Sequence, residues 1–69
     1  MHIKINGKLQ DVPGDMAPLS AILEFMGLDT NTTGIAVALN LQLVSRDRWS
    51  TTMVEPQDEV EIVTARQGG

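Results

Sequence analysis

Only one stretch of the chain carries a helical period. Leu19, Ile22, Leu23 and Met26 stand at i, i+3, i+4 and i+7, one apolar stripe, with Ser20 and Glu24 on the opposite face. A helix of about nine residues does not persist alone in water, so it has to be held by packing. The rest of the chain alternates with the period of strands, which makes the packing partner a sheet. One helix on one face of a mixed sheet is an α+β layer pair.

The strands can be read from the residues that bound them. "HIKING" puts Ile3 and Ile5 on one face and His2 and Lys4 on the other, and Asn6 and Gly7 suit a tight hairpin turn. "KLQDVP" returns as a second strand and stops at Pro13 and Gly14. Pro18 fits the first helical turn and Gly27 the left-handed position after the last, with Leu28 folding back beside it. "DTNTTG" is a polar loop. In "IAVALN" Ile35, Val37 and Leu39 share a face, while Ala36 and Ala38 predict a second face that is closely approached. Asn40 and Leu41 turn into a short strand, "QLV". "SRDRWSTT" is irregular, and its Trp49 reads as a partly buried plug over one end of the core rather than a cofactor contact. A turn at Pro56 to Asp58 leads to a last strand in which Val60 and Ile62 face away from Glu59, Glu61 and Val63. The pattern closes most simply with the first and last strands parallel and adjacent at the centre. Residues 1–69 then form a single domain whose last residues, 65–69, are a flexible tail.

Composition removes most chemistries. Without cysteine there is no disulfide, thiolate nucleophile or thiolate metal ligand, and the expected setting is cytoplasmic. No apolar run has the length of a membrane helix, and the start lacks the pattern of a signal peptide. The net charge of -4 disfavours a nucleic-acid partner. Glu55, Asp58, Glu59 and Glu61 cluster before the tail, where they solvate that edge and would attract a basic protein surface. His2 is the single histidine and has no second ligand, and neither Ser20 nor Ser45 has a histidine partner. Catalytic residues, metal and bound cofactor are therefore all expected to be absent.

What remains is the C-terminal carboxylate on "ARQGG". Two glycines pass through a channel too narrow for any Cβ, so Gly69 can be handed into the active site of another protein. Ordering Arg66, Gln67, Gly68 and Gly69 there costs roughly 1–2 kcal/mol each in backbone entropy. The folded domain must offset that through a docking surface, expected on the sheet face away from the helix near Leu41 and Leu43.

"IKING", "LSAILEFMGL", "IAVALN", "LVSRDRW" and "DEVEIVTARQGG", in this order and over nearly the whole chain, resemble the ThiS family of sulfur carriers, which are ubiquitin-like β-grasp proteins. The resemblance implies that the chain is a co-substrate rather than an enzyme. Gly69 would be adenylated by a ThiF-type adenylyltransferase that consumes ATP. It would then be converted to a thiocarboxylate with sulfur from a donor such as a cysteine desulfurase, and would deliver that sulfur to a ThiG-type thiazole synthase for thiamine. Gly68 would thread the channel, with Gln67 and Arg66 contacting partners. Two other readings share the pattern: a carrier for molybdopterin or cysteine synthesis, and a ubiquitin-like modifier or interaction module. The chain departs from the family at Leu41 and Gln57, where glycine is usual in turns. It departs again at Ala17, where a capping Thr or Ser is common and whose loss typically costs about 1 kcal/mol.

Overall fold

The computed structural model describes residues 1–65. β1 (His2–Ile5) and β2 (Lys8–Asp11) form the first hairpin, and a two-residue strand β3 (Ala17–Pro18) runs into α1 (Leu19–Phe25). β4 (Ile35–Leu39) and β5 (Gln42–Val44) form a second hairpin, followed by a 3-10 turn at Arg46–Arg48, β6 (Met53–Val54) and β7 (Glu59–Thr64). The main sheet has the order β2-β1-β7-β4-β5, and β3 pairs with β6 in a small second sheet. β1 and β7 are parallel at the centre, with Ile5 beside Val60, the arrangement in which the strand pattern closes most simply. Both hairpin turns have positive φ at their two central residues, 52° and 82° at Asn6 and Gly7 and 50° and 69° at Asn40 and Leu41. That is the backbone of the two-residue turn that matches strand twist.

The core lies between α1 and one face of the sheet. Ile3, Ile5, Val37 and Val60 come from the sheet, Leu19, Ile22 and Leu23 from the helix, and Val12, Trp49 and Val54 close the sides, all buried. Trp49 is 3% exposed and its Nε1 donates to the Val44 carbonyl at 3.1 Å, so the plug is fully rather than partly buried. A buried indole N–H needs such an acceptor.

The helix is shorter than its pattern. It has seven residues, and Met26, expected on the buried stripe, is the C-cap and exposed. Gly27 at φ 82° ends it: its N–H bonds the Glu24 carbonyl and the Leu28 N–H bonds the Leu23 carbonyl, the paired closure that follows a left-handed residue. At the other end Pro18, expected inside the first turn, is instead the N-cap, extended at ψ 150° and paired with Met53. Ala17 is thus not the capping position, and no side chain caps the helix. The free amides are satisfied by backbone: Leu19 N–H donates to Thr52 O at 2.8 Å and Ser20 N–H to Trp49 O at 2.9 Å. The loss expected from a missing cap therefore does not arise, because distant carbonyls take the place of the side-chain oxygen.

Candidate functional site

β7 carries the chain toward its C-terminus from the middle of the sheet, and asparagines from both hairpin turns hold it. Asn6 accepts from the Ile62 N–H at 2.7 Å and donates to the Ile62 carbonyl at 3.2 Å. Its amide thereby continues the β1–β7 pairing one step past Ile5. Asn40 accepts from the Glu59 N–H at 2.8 Å through its side chain and donates to the Glu59 carbonyl through its backbone. Its Nδ2 also reaches Asp58. These bonds fix the start and the middle of the strand that precedes the reactive terminus proposed from the sequence. Just past Thr64 the Ala65 N–H donates to the Gly34 carbonyl at 2.7 Å. Arg66, Gln67, Gly68 and Gly69, the tail residues singled out by the sequence, lie outside the described residues.

The sheet face away from α1 is open. Across it the register aligns Lys4 with Glu59, Ala36 with Val63, and Glu61 with Ala38 and Leu43. Ala36 is exposed and Ala38 half-buried, which corrects the expectation that the alanine face of this strand is closely approached. Alanine fits a crowded interface and a shallow open surface equally well, and here it makes the second. Val63 is 63% exposed, Leu43 78% and Leu41 81%. Together with the two alanines they form an apolar area at the β4–β5 side, bordered by Glu59 and Glu61. The expected exposure of Leu41 and Leu43 is thus present, and Val63 and Ala36 extend it. Their contribution was readable only once the register between β4 and β7 was known.

A third arrangement escaped the sequence reading. The Arg46 guanidinium lies 4.5 Å from the Trp49 ring centre and donates to the carbonyls of Thr30 and Thr32 in the loop between α1 and β4. The i, i+3 spacing of Arg46 and Trp49 was the available signal, since such residues eclipse in a 3-10 turn. His2 is exposed on β1, 4.0 Å from Asp11. Among the described residues no group of three His, Asp or Glu side chains could hold a metal, and no helix is long and apolar enough to cross a membrane.

A mixed five-stranded sheet with a parallel central pair and one helix grasped on one face defines a ubiquitin-like β-grasp protein. Two solved structures share the architecture throughout. The crystal structure of the thiamine biosynthesis protein ThiS from Geobacter metallireducens matches with a TM-score of 0.83 at 26% identity, each chain covered in full. The NMR structure of a thiamine biosynthesis protein from the same organism matches at 0.82 and 26% identity, over the whole of this chain and 88% of the other. No curated protein sequence matches. The chain belongs to the ThiS family, whose model matches residues 3–69.

Proposed function

We propose that the chain is a sulfur carrier for thiazole formation in thiamine biosynthesis. The observation that carries this reading is the ThiS family match, which runs through the Gly-Gly end. In the proposed cycle a Gly69 carboxylate oxygen attacks the α-phosphorus of ATP in a ThiF-type enzyme, and pyrophosphate leaves. Hydrosulfide then adds to the acyl-adenylate carbonyl and AMP departs, leaving a thiocarboxylate. A ThiG-type thiazole synthase receives the sulfur. The chain supplies no acid, base or nucleophile besides its own terminus; partner enzymes supply the rest.

The open face complements this chemistry. Ordering four tail residues costs about 4–8 kcal/mol, more than contacts to two glycines return. Leu41 and Leu43, with Val63 beside them, offer apolar area for docking the activating enzyme, and Glu59 and Glu61 favour a basic border on that partner.

The test is the intact mass of the protein after incubation with ATP, a ThiF-type enzyme and hydrosulfide. A gain equal to sulfur replacing oxygen is expected, confined to the C-terminal peptide and absent after deletion of Gly69. Gly68→Val should melt like the parent yet load poorly, because a Cβ enters the channel. No mass gain under conditions that load another carrier, or a Gly69 isopeptide adduct in extract, overturns the reading.

A further inference from the structure

The clamp on the loop between α1 and β4 ends at the root of the tail. Arg46 stacks on Trp49, which is itself fixed by burial and by its bond to the Val44 carbonyl. From that platform the guanidinium holds two carbonyls, Thr30 and Thr32, and the loop they belong to closes at Gly34. Gly34 sits at φ 82°, and its carbonyl accepts the Ala65 N–H. A Cβ built on Gly34 would lie 3.0 Å from the Ala65 carbonyl oxygen, so the two backbones approach as closely as glycine permits. Ala65 immediately precedes Arg66–Gly69. β7 also needs this contact: beyond Thr64 the paired strand β4 has ended, since Ile35 opposite Thr64 is its first residue.

We propose that Arg46 is a positioning residue for chemistry at the C-terminus. Through the loop and Gly34 it sets where Ala65 leaves the sheet, and so the line along which the terminal carboxylate is presented to a partner. Arginine suits the role because its planar group stacks flat on an indole while separate NH2 groups reach two acceptors, a fixed spread that the compact ammonium of lysine lacks. The docking area at Leu41 and Leu43, extended by Val63 and Ala36, does not include Arg46, so the split between KM and kcat separates docking from positioning. The catalytic consequence rests on the carrier reading; the clamp itself does not.

Two measurements on the full-length protein test it. The first is amide hydrogen exchange without any partner. Arg46→Ala and Arg46→Lys should both speed exchange at Ala65 by roughly tenfold or more while Val60 and Ile62 keep their protection. Gly34→Ala, which disturbs the same contact from the loop side, should do likewise without altering Trp49 fluorescence. Exchange at Ala65 within about twofold of the parent in the lysine and glycine-site variants overturns the clamp, even if Arg46→Ala proves globally unstable. The second measurement is steady-state adenylation by the ThiF-type enzyme. The variants should lower kcat by about tenfold or more with KM for the carrier near the parental value, since a misplaced reacting group slows chemistry rather than encounter. A raised KM with kcat unchanged overturns the positioning role and makes Arg46 a docking residue. If the parent itself is not adenylated, the carrier reading fails, and the exchange data still decide the clamp.

Discussion

Leu41 occupies a backbone conformation that suits glycine and a solvent exposure that suits a polar side chain. Its φ is 69°, and Gln57, the other turn position where the resemblance leads one to expect glycine, has φ 73°. Both turns therefore keep the glycine geometry with the wrong residues in it. A left-handed conformation costs an ordinary residue about 1–2 kcal/mol, and glycine returns roughly 0.5–1 of that through the freedom of the unfolded chain. Each substitution to glycine should then stabilise by up to about 1 kcal/mol, a rise of several degrees in Tm for a domain of this size. The two are expected to differ in function. Gln57→Gly should load with sulfur like the parent, because Gln57 contributes no apolar side chain to the docking area. Leu41→Gly should melt higher but show a raised KM toward the activating enzyme. Equal KM for both would remove Leu41 from the docking surface. The residue departures were visible in the sequence; that their φ values stay positive was not, since a turn can change type to suit its residues.

Among the elements, those with several residues of period were legible and those without were not. The helix stripe and the alternation in β1, β4 and β7 follow from side-chain direction; the structure has the strands where the pattern puts them and the helix over Leu19–Phe25, with Pro18 and Met26 as its caps. β3 and β6 are two residues each, too short for any period, and exist because they pair with one another beside the helix start. The N-terminal amides of α1 are satisfied by Trp49 and Thr52 carbonyls, far along the chain, so a local search for a capping side chain finds none. The turn asparagines gave half their role away: "NG" and "NL" announced turns, while the grip of Asn6 on β7 required the parallel pairing. Asn6→Ala removes two bonds to Ile62 and keeps a positive φ without the side chain that tolerates it. A loss of about 1–3 kcal/mol is expected, read as a lower urea midpoint with unchanged m-value. Asn6→Asp keeps only the acceptor and should fall between the two. For the site, the tail and the Leu pair were legible as patterns, whereas the clamp depended on contacts between segments that no spacing connects.

At the scale of the whole molecule, the chain's last strand is its central one. β7 lies between β1, which runs parallel to it, and β4, which runs antiparallel. The proposed function draws the C-terminus into another protein's active site, which would put β7 under tension. Pulling β7 toward its C-terminal end slides it lengthwise past both neighbours, so the bonds to Asn6, to β4 and to the β1 side bear the load together. Tension applied instead across the two edge strands, β2 and β5, would open bonds one at a time. Single-molecule force measurements should accordingly find one rupture at high force when the handles are at His2 and the C-terminus, and a lower force when they are at Lys8 and Leu43. Equal forces would mean that β7 is not the mechanical spine. On the proposed carrier reading, a chain built this way can be tugged repeatedly by its C-terminal end and come away folded.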